Sequence, residues 1–268
     1  MNKMNTSLPI TRELSKSYQL TFIITALVTI VSAVSLIFPE SVYPDEEVRQ
    51  SFLANDTVNL LIAPAILLGS VWLAKQKRLV GLLALPGALI YVLYNASANL
   101  FGMPLGIFTL IYLILVGLSA YTAFDIFQKI DREAVKDKLA GNVAEKFGGW
   151  VLLVLGALFL VRAVNELIQV FINQQLFSPE ISADLIISPM WIFGGVWLLS
   201  RKALGYAAGL GLLFSGSMLF IGLLVFFILE PFVNSVPFRV EDFIVIVIMG
   251  MICFVPTAFY MRGIFQKG

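Results

Sequence analysis

Eight long apolar runs, separated by short polar connections, decide what this chain can fold into. At a rise of 1.5 Å per residue, about 20 apolar residues cross the hydrocarbon core of a bilayer. Runs of that kind fall at 18–38, 58–74, 79–99, 105–127, 149–172, 184–200, 203–229 and 243–262. Hydrocarbon offers the backbone no hydrogen-bond partner, so such runs are expected as helices. The fold class read from them is all-α, a polytopic membrane helix bundle with eight transmembrane helices. Composition agrees, because 59% of the 268 residues are hydrophobic and 13% charged, with a mean hydropathy of +0.91. A soluble domain of this size does not bury that much apolar surface. The second and sixth runs are short and contain Pro64 and Pro189, where neighbouring helices must cover the freed carbonyl. The first run, Tyr18 to Phe38, is too long for the apolar core of a signal peptide and has no small-residue cleavage site after it. It is expected to be the first span.

The polar connections alternate in sign. The tails and even-numbered connections carry Lys3, Arg12 and Lys16; Lys75, Lys77 and Arg78; Lys129, Arg132, Lys136, Lys138 and Lys146; Arg201 and Lys202; and Arg262 and Lys267. The odd-numbered connections carry only Arg49 and Arg239, among Glu40, Asp45, Glu46, Glu47, Asp56, Glu180, Glu230, Glu241 and Asp242. The positive-inside rule then places both termini in the cytoplasm. The expected location is the plasma (inner) membrane of a prokaryote. The net charge of +1 supplies no field that would draw nucleic acid, and the bilayer itself is the expected partner.

The two halves of the chain resemble each other. LLIAPAILLGSVWL (60–73) and LIISPMWIFGGVWL (185–198) agree at seven of fourteen positions, pairing Pro64 with Pro189 and Gly69 with Gly194. TAFDIFQK (122–129) stands against TAFYMRGIFQK (257–267), and VSAV (31–34) against VRAV (161–164). Three matches in the same order indicate a duplicated four-span unit. The domains read as residues 1–129, a cytoplasmic linker over 130–148 and a second unit over 149–268. An even number of spans gives two tandem repeats in parallel orientation, related by an axis along the membrane normal. The linker is expected to be a solvated or interfacial helix.

The run LFLVRAVNELIQVF (158–171) places charge inside a span. Arg162, Asn165, Glu166 and Gln169 follow i, i+3, i+4, i+7 and share one helix face. Arg162 is thirteen residues from the start of its run, about 20 Å along the helix. A central arginine costs about 2.5–3.5 kcal/mol on insertion scales. Glu166 offsets part of that by pairing across one turn, and the pair is expected to face the bundle interior or a wet cavity. The matching helix of the first half carries only Ser32 and Ser35 there. A second stripe, Tyr91, Tyr94, Asn95 and Asn99, lies in the same half of the membrane, with Asp56, Asn59 and Asp184 at the helix ends and Asn59 equivalent to Asp184.

Absences narrow the chemistry. There is no histidine and one cysteine, Cys253. Disulfides, cysteine-rich zinc sites, histidine-ligated haem, Ser-His triads and di-iron histidine motifs are excluded. No cofactor and no metal are expected. The favoured reading is an outward-facing polar pocket of Arg162, Asn165, Glu166, Tyr91, Asn95 and Asp184. It would bind or transport a small anionic or zwitterionic solute or a lipid headgroup, with Arg162 on the anionic part because its fork binds both oxygens. The alternative is a structural or assembly subunit, in a homo- or hetero-oligomer, with the stripe exposed on the flank of the bundle. Less favoured is a membrane-embedded lipid-modifying enzyme using Glu166 or Asp184 as acid or base. In the purely architectural reading, Arg162 and Glu166 lock one helix to its neighbour while Asn and Tyr supply interhelical hydrogen bonds.

Overall fold

A computed structural model of the chain describes residues 8–173, 178–234 and 236–265, without the side chains of residues 47 and 51. Among the described residues ten helices follow in order: α1 (Ser15–Ile37), α2 (Pro39–Val42), α3 (Glu46–Lys75), α4 (Leu79–Gly102), α5 (Ile107–Lys129), α6 (Arg132–Leu139), α7 (Glu145–Asn173), α8 (Pro179–Leu199), α9 (Ala203–Asn234) and α10 (Val240–Phe265). Eight of them, all but α2 and α6, are long and apolar enough to cross a membrane. The chain is an all-helical integral membrane protein.

The second apolar run is not a short helix. α3 is 30 residues long and extends about three turns ahead of the expected start. Asp45 caps that extension, accepting from the Val48 N–H at 3.1 Å, as an Asp at a helix start is suited to do. Asp56 and Asn59 interrupt the apolar run in sequence, yet they are 0% and 3% exposed. Their polar groups meet partners inside the bundle, so the helix can carry them at depth. α8 begins on Pro179, whose missing N–H costs nothing in a first turn.

α4 sits in the middle. In its most apolar stretch 89% of residues are buried, against 28% in α7 and in α10. Its neighbours are α3, α5, α8 and α9; α9 in turn packs on α3, α8 and α10. α1 lies on α3 and α5, and α7 on α8 and α10. The crossing of α4 and α9 depends on glycine: a Cβ added at Gly87 would stand 2.1 Å from the Gly211 carbonyl oxygen. The two backbones therefore touch without side chains between them.

Two turns repeat one another. Between α3 and α4, Lys77 has φ 62°, its N–H bonds Ala74 O at 2.9 Å and the Arg78 N–H bonds Leu73 O at 3.0 Å. Between α8 and α9, Arg201 has φ 52°, its N–H bonds Leu198 O at 3.0 Å and the Lys202 N–H bonds Trp197 O at 2.9 Å. Both are Schellman caps with a basic residue where glycine is usual.

Charge concentrates at one end of the bundle. Lys129 Nζ and Ser17 Oγ each stand 2.7 Å from Asp125 Oδ2, joining α5 to α1 in a half-buried cluster. Arg201 Nε reaches Glu145 at 2.8 Å, and Tyr206 donates to the same carboxylate at 3.0 Å, joining α7, the α8–α9 turn and α9. Helix α6, from the linker, is capped by Asp131 and lays buried Val135 and Leu139 against its surroundings, with α9 as neighbour. At the far end Arg239 grips Glu230 with two bonds of 2.9 Å, and Arg49 pairs with Glu46.

Candidate functional site

The charged stripe of α7 meets α8 and α4 towards the far end. Arg162 Nε is 3.0 Å from Glu166 Oε1 on its own helix and 3.8 Å from Asp184 Oδ2 on α8. The other Glu166 oxygen accepts from Ser178 at 2.9 Å. Ser178 is the N-cap residue of α8 but makes no capping bond with its side chain; its hydroxyl serves Glu166 instead. Asp184 accepts from the Tyr94 hydroxyl of α4 at 2.9 Å. Three helices thus contribute to one cluster of a cation and two carboxyl groups.

The cluster is incomplete in two places. Asp184 Oδ2 is buried and has no hydrogen-bond partner among the described residues. The Arg162 side chain is 50% exposed, and among the described residues its hydrogen bond is made through Nε. Its two terminal nitrogens, the part of the fork that grips a carboxylate or phosphate, make no hydrogen bond among the described residues. This differs from the expectation of an arginine enclosed within the bundle. α7 is a peripheral helix, so its polar face opens at the flank, held at its root by Asp184.

The remaining residues proposed from sequence are divided. Asn165 is exposed on α7. Tyr91 and Asn95 do not join Arg162. The Tyr91 hydroxyl lies 3.4 Å from Asn59 Oδ1 on α3, and Asn95 Nδ2 turns back to the Tyr91 carbonyl at 3.0 Å. Of the α4 stripe, Tyr94 faces Asp184 while Tyr91, Asn95 and Asn99 face the first half of the chain. A helix enclosed on all sides sends residues one turn apart to different neighbours.

On that side lies a cluster that the sequence did not single out. Asp56, 0% exposed, accepts from Ser35 Oγ and from the Tyr43 hydroxyl at 2.5 Å each, and stands 3.4 Å from the Tyr112 hydroxyl. Burial, reinforced by the adjacent Asp56 carboxyl group, holds the Tyr43 phenol far above its ordinary range, so it stays a donor. The partners come from α1, the α2–α3 connection and α5; no local spacing could announce them. The sequence signal was a single acid beside an apolar run.

A cavity elsewhere is apolar. It holds about 460 Å³ between α4, α5, α8 and α9, lined among others by Pro86, Phe124, Phe127, Pro189, Phe193 and Trp197. Among the described residues no group of three or more His, Cys, Asp or Glu is placed to hold a metal ion. Comparison with protein families, with curated proteins and with solved structures yields no match.

Proposed function

We propose that this integral membrane protein holds a zwitterionic solute or lipid headgroup at the Arg162–Glu166–Asp184 cluster. The observation that supports the reading is the meeting of unused groups at one place: among the described residues the terminal nitrogens of Arg162 make no hydrogen bond, and the buried Asp184 Oδ2 has none either. An arginine fork suits a phosphate or carboxylate. Two carboxyl groups beside it would repel a plain anion and attract an ammonium. A ligand carrying both charges fits better than one carrying either. Asn165, one turn from Arg162 on the exposed face, is placed to bond the same ligand. Binding is all that the cluster supports, since nothing in it forms a path through the bundle.

The architecture we infer around this site is a tandem repeat of two four-helix units in parallel orientation. The paired caps at Lys77 and Arg201 support it, as does the matching neighbourhood of the halves, in which α4 touches α8 as α9 touches α3. The basic residues gathered at one end support a cytoplasmic side there, with both termini on it and the Arg162 cluster towards the outside.

A second reading is favoured by Asn165. It is exposed on the flank of a peripheral helix and has no hydrogen-bond partner among the described residues. An amide facing hydrocarbon is satisfied by another membrane helix, as in an assembly subunit.

Native mass spectrometry of the detergent-purified chain with phosphatidylethanolamine and phosphatidylglycerol separates the readings. The first expects retained phosphatidylethanolamine, weakened about tenfold or more in Arg162→Lys, which keeps charge but not the fork. Equal retention of both lipids by both proteins would overturn it. No adduct, with a higher oligomer that Asn165→Leu dissociates, supports the second.

A further inference from the structure

We propose that a single inorganic monovalent cation binds in the small cavity enclosed by α1, α3, α4 and α5, with the Asp56 carboxylate as its counter-charge. The site is separate from Arg162 and does not rest on the reading of that cluster.

The cavity has a volume of about 10 Å³, room for one water-sized occupant. Ser32, Asn59, Asn95, Asn99 and Tyr112 supply its polar wall. Ser32 Oγ has no hydrogen-bond partner among the described residues beyond its approach to Asp56, and Asn99 Oδ1 is buried there without one. The residues themselves are 1% and 0% exposed. Asn99 Nδ2 is committed to the Asn95 carbonyl at 2.9 Å, and Asn95 Nδ2 to the Tyr91 carbonyl at 3.0 Å. Each amide nitrogen spends one of its two N–H groups on a backbone carbonyl, and Asn99 Oδ1 is left as an oxygen with no donor. Ser32 Oγ and Asn99 Oδ1 are both oxygens, able to coordinate a cation.

Asp56 supplies the reason for positive charge. It is fully buried and receives three hydroxyl groups, yet no Lys or Arg pairs with it among the described residues. Hydroxyl donors solvate a carboxylate but do not neutralise it, and an uncompensated charge at this depth is costly. Tyr112 joins the two features, lining the cavity and standing 3.4 Å from Asp56 Oδ1. Ser32 lies one helical turn from Ser35, the hydroxyl on Asp56 Oδ2. A buried water would satisfy the orphaned oxygens and leave the charge unanswered; a cation answers both. One carboxylate with neutral oxygens matches a monovalent ion, whereas calcium takes six to eight oxygens with several carboxylates among them.

The test uses the purified full-length chain in detergent, at constant ionic strength, in lithium, sodium, potassium or choline chloride. Choline is too large to enter. The expected result is a saturable rise of the unfolding midpoint in one or more of the alkali salts relative to choline. Equilibrium dialysis with radiolabelled sodium and rubidium should then show one ion per chain. Asn99→Leu, which fills the cavity with carbon, and Asp56→Asn, which keeps the shape and removes the charge, should each weaken binding about tenfold or more. Arg162→Lys should leave it unchanged. The same midpoint in every salt with no bound ion, as a lone water would give, overturns the proposal. So does ion binding that survives Asn99→Leu or disappears in Arg162→Lys. If a cavity variant does not fold, dialysis of the unaltered chain still decides, because absence of a bound ion there is sufficient to refute the site.

Discussion

Arg162 Nε and Asp184 Oδ2 lie 3.8 Å apart, with one side chain 50% exposed and the other 1%. The pair joins a solvent- or lipid-facing cation to a carboxylate that nothing else on that oxygen satisfies. Removing the cation therefore costs more than removing both. We expect Arg162→Ala to lower stability by about 1–3 kcal/mol, since it strands a buried acceptor. The double substitution Arg162→Ala, Asp184→Asn should recover at least half of that loss. Unfolding midpoints in detergent measure it, with Asp184→Asn alone as the third arm; a double loss equal to the sum of the two single losses would show that the two residues are uncoupled.

The Asp56 cluster should rank its tyrosines by distance. Tyr43 donates at 2.5 Å and Tyr112 at 3.4 Å. Tyr43→Phe is expected to cost about 1.5–3 kcal/mol, the range for a hydrogen bond to a charged group, and Tyr112→Phe less than half of that. The same melting experiment reads both, and the reverse order would contradict the geometry.

Two glycines separate packing from propensity. At Gly69 a Cβ meets nothing within 4 Å, whereas at Gly87 it would overlap the Gly211 backbone. Gly69→Ala should be neutral or stabilising by up to about 1 kcal/mol. Gly87→Ala should destabilise by about 1–3 kcal/mol, because two helices must part to admit it.

At Lys77 the backbone is left-handed with φ 62°. That conformation costs a non-glycine residue about 1–2 kcal/mol, and glycine gives back about 0.5–1 kcal/mol in chain entropy. Lys77→Gly should raise stability by about 0.5–1 kcal/mol, and Arg201→Gly, at φ 52°, by a similar amount. A fall in the midpoint for either would mean that the side chain contributes more than the strain.

The spans were readable because lipid imposes one length and one backbone solution on each. Their ends were not: α3 carries Asp56 and Asn59 in a buried face, and hydropathy takes such residues for a helix limit. Spacing alone joined Arg162 to Glu166, since partners one turn apart are set by helix geometry. It could not assign Tyr91 and Tyr94 to opposite neighbours, because one stripe on a central helix is shared among several contacts. Nor could it gather Ser35, Tyr43 and Tyr112 around Asp56. Those meetings depend on tertiary packing, which no pattern of local periodicity encodes. Enclosure was misjudged: Arg162 lies near mid-helix along its axis, as expected, but on a peripheral helix that leaves its face open.

The position of α4 bears on how the chain can be divided. It belongs to the first half by sequence, yet Tyr94 reaches across to Asp184 and Gly87 lies directly on Gly211. A polypeptide severed in the linker would leave this helix with one flank bare to lipid, its phenol without an acceptor. The two segments should therefore function only when co-expressed and reassociated, as complementing fragments, and neither would be a miniature of the whole.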